Sequence, residues 1–278
     1  MTADATPLAQ GLDANRSGQP GGGGRIVWVV RDAFTITTRN LLHYVRIPES
    51  LFFSSVQPVM FVLLFRYVFG GAIHPPPGTS YVNFLIPGIF VQTVAFGAVA
   101  TSIGLAEDLH KGLVERFRAL PMARSAVLAG RTIADLVRNV VVVILITGVG
   151  YAVGFRVQTN VAAFLAGLLL LLLFAYALSW GFALVGLSAP NSETAQVMAF
   201  PILFPLTFAS SAFVPVQFMP SWLQGFANHQ PVSVVANAAR ALMLGGPTTS
   251  LVWQTLAWSG GLLLFLVPLS VHRYRRIT

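Results

Sequence analysis

Long stretches of this chain carry no charge. No Asp, Glu, Lys or Arg occurs between Arg66 and Glu107, Arg138 and Arg156, Arg156 and Glu193, Glu193 and Arg240, or Arg240 and Arg273. A water-soluble fold of 278 residues needs a charged surface, and only 9% of these residues are charged. Each gap can hold a helix across a bilayer, which takes about 20 mainly apolar residues. The pattern therefore predicts an all-α, multispanning membrane protein.

Six spans are expected, at about 51–69, 81–105, 133–153, 161–187, 195–213 and 251–271. The first 24 residues are polar, end in Gly21-Gly22-Gly23-Gly24 and lack the apolar core of a signal peptide, so they read as a disordered tail. The remainder, 25–278, reads as one membrane domain. Between 25 and 47, Ile26, Val30, Ala33, Leu41, Tyr44 and Val45 alternate with Arg31, Arg39 and Arg46 at helical steps. This is the pattern of an amphipathic helix lying in the membrane interface. The stretch 214–244 is apolar but broken by Pro215, Pro220 and Pro231. It reads as short helices that enter the outer leaflet and return.

Of the 17 Lys and Arg, all but Arg66, Arg156 and Arg240 fall on one side if the N-terminus is cytoplasmic, as do all nine acidic residues. The positive-inside rule then places both termini in the cytoplasm. It also accounts for the net charge of +8, so no nucleic-acid partner is expected. With no cysteine there is no thiolate metal site, disulfide or cysteine nucleophile. The glycine run is not followed by Lys-Ser or Lys-Thr, and no other phosphate-loop pattern occurs, so no nucleotide cofactor is expected on this chain. The five histidines are scattered without metal-ligand spacing. An intramembrane enzyme would need paired acids or a Ser/His set at depth, and an ion-driven transporter a mid-membrane acid. No charged residue is expected deep in spans two to six, so neither reading is favoured.

Charge is dense in the loop after span two. Glu107, Asp108, Lys111, Glu115, Arg116 and Arg118 surround the stripe Leu109, Leu113, Phe117 and Leu120, and Pro121 ends the helix. Glu107–Lys111 and Glu115–Arg118 can pair at helical spacing, each worth about 0.2–0.5 kcal/mol. The expected product is a short rigid rod beneath the bilayer. The alternative is a solvated loop that merely holds positive charge inside.

The segment Gly112-Leu113-Val114-Glu115-Arg116-Phe117-Arg118-Ala119-Leu120-Pro121-Met122, running on to Gly130-Arg131, resembles permeases of type 2 ABC exporters, closest to the daunorubicin/doxorubicin-resistance branch. Pro58-Val59-Met60-Phe61 with Tyr67-Val68-Phe69-Gly70-Gly71 matches the same branch. So does Asn228-His229-Gln230-Pro231-Val232-Ser233, followed by Ala239-Arg240-Ala241-Leu242. The resemblance implies a six-helix membrane subunit that is not itself an enzyme. It implies a separate ATPase partner carrying ATP and magnesium, and a second permease copy or sister subunit in contact with membrane lipids. The rod would be the coupling helix seated on the ATPase. Its candidate coupling residues are Glu107, Asp108, Lys111, Leu113, Glu115, Arg116, Phe117, Arg118 and Leu120. The cargo would be a drug or lipid, with a lipid-linked polysaccharide as the alternative. From composition, Phe90, Phe96, Phe200, Phe204 and Phe208 are the candidate path lining.

Overall fold

In the computed structural model the described residues are 36–38, 48–73, 75, 78–110 and 124–277, the side chains of 48–54, 124–127 and 277 excepted. The expected tail 1–24, the interfacial helix 25–47 apart from 36–38, and the rod from Lys111 to Leu120 lie outside them. The described residues form helices and no strand. They are α1 (Pro48–Leu63, continued by a π-helical turn Leu64–Val68), α2 (Tyr81–His110), α3 (Arg124–Ala152), α4 (Val161–Ser188), α5 (Ser192–Phe208), a 3₁₀ turn (Val216–Phe218), α6 (Ser221–His229), α7 (Pro231–Leu244) and α8 (Thr249–Ile277). Four of these, α2, α3 without its first turn, α4 and α8, are long and apolar enough to cross a membrane. This makes the chain a multi-pass membrane protein.

Local chemistry sets the helix ends. The Asn160 side chain accepts from the Ala163 N–H and starts α4, and Asn191 accepts from Thr194 N–H to start α5, both at 2.8 Å. Glu193 sits exposed in the first turn of α5, where a negative charge suits the helix dipole. Pro231 opens α7 at its first position, and Gly245, at φ 95°, closes it.

Three boundaries depart from expectation for physical reasons. Helix α2 continues to His110 rather than stopping near 105. Helix α3 starts at Arg124 rather than near 133, because its charged face is buried against α2. Helix α5 stops at Phe208 rather than 213, after Pro201 and Pro205 have each removed a helical N–H.

Helix α2 is the centre of the bundle. The most apolar window of α2 is 83% buried, against 11% for α8 at the edge. Leu85, Ile86, Ile89 and Phe90 of α2 pack with Ile146 of α3, Leu171 and Phe174 of α4 and Met243 of α7, all fully buried. Near the His110 end a second cluster joins Leu105, Leu128, Trp180, Leu187 and Tyr274. Ile36 belongs to it, and the Thr37 hydroxyl donates to the Gly130 carbonyl at 3.1 Å.

Helices α2 and α4 approach tightly at Gly186, where an added Cβ would strike the backbone of Ser102. Gly148 of α3 faces open space. Gly186→Val is therefore expected to cost about 1–3 kcal/mol by overpacking, and Gly148→Ala almost nothing. Thermal unfolding of the two variants in the same detergent checks this, and equal midpoints would contradict the packing.

Candidate functional site

Phe200, Phe204 and Phe208 recur every four residues and so share one face of α5. Their rings follow one another at 5.4 Å, and those of Phe204 and Phe208 are within 12° of parallel. Phe96 of α2 meets Phe204 edge-on at 6.1 Å. Four of the five phenylalanines expected to line a path are thus brought together. Phe90 is not among them. Six residues before Phe96, it lies on another face of α2 and is fully buried in the core.

The structure adds four rings that the sequence reading did not single out. Phe61, Phe65 and Phe69 repeat the four-residue spacing along α1 and its π turn, with Phe65 at 5.9 and 5.3 Å from its neighbours. Phe213, in the turn after α5, joins the two series. It stacks on Phe65 at 4.6 Å with planes 11° apart and on Phe208 at 5.4 Å. The missed signal was the repeat at 61, 65 and 69, which mirrors that at 200, 204 and 208. The ladder is open along one edge, where Phe69, Phe204 and Phe208 are 41%, 46% and 42% exposed. Such a surface offers dispersion and offset stacking to flat apolar molecules.

The turn carrying Phe213 is held by α7. Gln230, Ser233, Asn237 and Arg240 follow at steps of three and four, one stripe of that helix. The Gln230 amide donates to the carbonyls of Leu206 and Ala209, at 2.9 and 3.2 Å. The Ser233 hydroxyl accepts from the Ser211 N–H at 2.9 Å.

Arg240, wholly within the protein, uses all five of its N–H donors. Nε donates to the Phe84 carbonyl (2.8 Å) and Nη2 to the carbonyls of Ser211 (2.5 Å) and Ala212 (2.8 Å). Nη1 donates to Asn237 Oδ1 (2.9 Å) and Ser211 Oγ (3.3 Å). The guanidinium also lies 3.8 Å from the centre of the Phe84 ring. Each hydrogen bond to a charged donor contributes about 1.5–3 kcal/mol net. Gly88 completes the arrangement, since a Cβ there would collide with the Ala212 carbonyl.

Of the candidate coupling residues, Glu107 and Asp108 occupy the last turn of α2. Lys111, Leu113, Glu115, Arg116, Phe117, Arg118 and Leu120 lie outside the described residues. Asp108 pairs with Arg131 of α3 at 3.2 Å. Arg131, Asp135 and Arg138 then run up one face of α3. Asp135, fully buried, accepts from the Thr101 hydroxyl at 2.6 Å and lies 3.7 and 3.9 Å from the two guanidiniums. Arg138 also donates to the Gly97 carbonyl at 2.6 Å.

Buried charge is thus accommodated within the bundle here. Asp135 is eleven residues into α3, about 16 Å along its axis. Two carboxylates and two guanidiniums balance, and neighbouring polar groups supply further hydrogen bonds. Helical spacing of three and four residues brings both Arg138 and Arg131 to Asp135. Asp135→Ala is expected to destabilise the protein by about 3–5 kcal/mol, because it removes the carboxylate that the buried Arg138 guanidinium faces. Unfolding of wild type and variant in denaturant measures the loss.

Comparison with known proteins agrees with this architecture. The family model for ABC-2 type transporters matches residues 31–244. The chain is 34% identical over 237 residues to the daunorubicin resistance ABC transporter permease protein DrrB1 of Streptomyces coeruleorubidus, covering 85% of this chain and 83% of that one. It is 26% identical over 276 residues to the probable doxorubicin resistance ABC transporter permease protein DrrC of Mycobacterium tuberculosis, covering 98% of each. It is 25% identical over 194 residues to the inner membrane transport permease YadH of Escherichia coli, covering 68% of this chain and 73% of that one. This multi-pass chain belongs to the ABC-2 type transporter family of membrane permeases.

Proposed function

We propose that this chain is the permease of an ATP-driven exporter that carries flat, hydrophobic or amphipathic compounds, drugs of the daunorubicin type among them, out of the cell. The observation that carries this reading is the open-edged phenylalanine ladder spanning α1, α5 and the turn between α5 and α6. The relatives whose names state daunorubicin or doxorubicin resistance support the cargo class. In this reading the chain crosses the bilayer six times, with α1 plus its π turn and α5 as the shorter spans. Helices α6 and α7 form a re-entrant segment at the outer leaflet, and both termini are cytoplasmic. Two permease chains, like or unlike, enclose the path.

Energy arrives from a separate ATPase, which holds ATP and magnesium. The last turn of α2 and the loop after it form the coupling element on which that subunit acts, through Glu107, Asp108, Lys111, Leu113, Glu115, Arg116, Phe117, Arg118 and Leu120. Motion of that rod would enter the bundle at Asp108 and pass to α3 through the Arg131–Asp135–Arg138 cluster. That cluster is rigid because its charges are fixed by one another. Coupling needs an element with two arrangements that both sites bias, and the packing of the two permease halves supplies it.

The test is reconstitution of the chain with its ATPase in liposomes and measurement of daunorubicin-stimulated hydrolysis and transport. Phe204→Ala with Phe208→Ala is expected to reduce daunorubicin transport about tenfold through lost stacking, with basal hydrolysis retained. Transport at the wild-type rate would remove these rings from the path. Glu115→Ala with Phe117→Ala is expected to leave the permease in the membrane and its drug binding intact, while abolishing drug stimulation of the ATPase. Undiminished stimulation would remove the loop as the coupling element.

A further inference from the structure

We propose that Arg240 is a positioning residue for cargo. By clamping the Ser211–Ala212 carbonyls it fixes the Phe213 ring between the α1 and α5 phenylalanines, and so makes the ladder selective for flat ring systems. The inference rests on the reading of the phenylalanines as the cargo path.

Three observations lead to it. First, Arg240 does not hold a carboxylate. Its five donors go to three backbone carbonyls and two neutral side-chain oxygens, so what it neutralises is a backbone turn rather than a charge. Second, Phe213 directly follows the two clamped carbonyls of that turn. It is nearly buried, and its plane is set to within 11° of Phe65 and 28° of Phe208. A turn free to rotate would let that ring tilt, and offset stacking depends on ring orientation. Third, the clamp reaches across to α2 through the Phe84 carbonyl and ring, so the turn is referenced to the most buried helix of the bundle. The near-parallel Phe204–Phe208 pair, exposed and backed by the buried Phe213 ring, presents a surface that a polycyclic plane can continue. A propeller-shaped molecule of similar hydrophobicity cannot.

The experiment compares daunorubicin, which is flat, with tetraphenylphosphonium, which is not, on the purified full-length chain in lipid nanodiscs. Daunorubicin binding is read by fluorescence anisotropy and tetraphenylphosphonium binding with the radiolabelled cation. Arg240→Lys keeps the charge but cannot reproduce the five-donor fork. It is expected to weaken daunorubicin about five- to tenfold, the worth of one stacking contact, and tetraphenylphosphonium less than twofold. Asn237→Ala, which leaves the guanidinium in place with one acceptor fewer, is expected to shift the same ratio in the same direction by about threefold.

In the double variant Arg240→Lys/Phe213→Ala, daunorubicin should bind no worse than in Phe213→Ala alone, because the arginine acts through that ring. Additive losses, or equal losses for both ligands, would overturn the proposal. If Arg240→Lys is not recovered as a monodisperse protein, Asn237→Ala decides, and an unchanged ligand ratio there rejects the idea. If Phe204→Ala weakens daunorubicin while Arg240→Lys and Asn237→Ala do not, only the positioning role falls. If neither Phe204→Ala nor Phe213→Ala weakens it, the cargo path itself is wrong and this role goes with it.

Discussion

A backbone carbonyl in hydrocarbon has no water to accept from, so a helix that stops inside a bundle must be finished by side chains. Helix α5 stops at Phe208, and everything distinctive about this end of the molecule follows from how that ending is satisfied. The Ser210 hydroxyl donates to the Thr207 carbonyl and accepts from the Ala212 N–H. Gln230 takes the carbonyls of Leu206 and Ala209, and Arg240 takes those of Ser211 and Ala212. One stripe of α7 thus substitutes for the next helical turn of α5. The cost of burying a guanidinium without a carboxylate is offset because the carbonyls it meets would otherwise be unpaired as well.

The same rule, applied to full charges, governs the other end of the bundle. Asp135 is tolerated in a dry site because Thr101, Arg131 and Arg138 surround it, and those arginines are tolerated because of Asp135 and Asp108. Gly97 and Gly104 leave room on α2 for these long side chains. A Cβ at Gly104 would occupy the position of the Arg131 guanidinium, and one at Gly97 that of the Asn139 amide. Polar pairing therefore fixes α2 to α3 at one end and the α5 turn to α2 at the other, with a mainly apolar core between them. Apolar packing among membrane helices has weak directional preference. The polar clamps are what define register at each end.

How much of this was legible in the sequence depends on range. Charge-free gaps located α2, α4 and α8 to within about six residues at each end, because length and hydropathy are local properties. The i, i+4 repeat of Phe200, Phe204 and Phe208 is equally local, and helical spacing alone puts those rings on one face. The distant partners of Arg240 and Asp135 were not legible. Phe84 is 156 residues from Arg240 and Thr101 is 34 from Asp135, and no periodicity reports such distances. Phe90 shows the converse error, since composition gave it the same standing as Phe96 while helical phase put it on another face.

The motif that marked the stretch before the last span now has a physical content. His229-Gln230-Pro231-Val232-Ser233 supplies a helix start, with Pro231 fixing the first turn and Gln230 and Ser233 already pointing at the end of α5. Arg240, ten residues on from Gln230, lies on the same stripe. The spacing of these polar residues is therefore dictated by the shape of the turn they serve, and that turn carries Phe213 to the junction of two aromatic series. A membrane fold that must neutralise a broken helix thereby acquires, from the same residues, a ring held at a defined angle. The requirement for backbone satisfaction and the orientation of the Phe213 ring are met by one helix face.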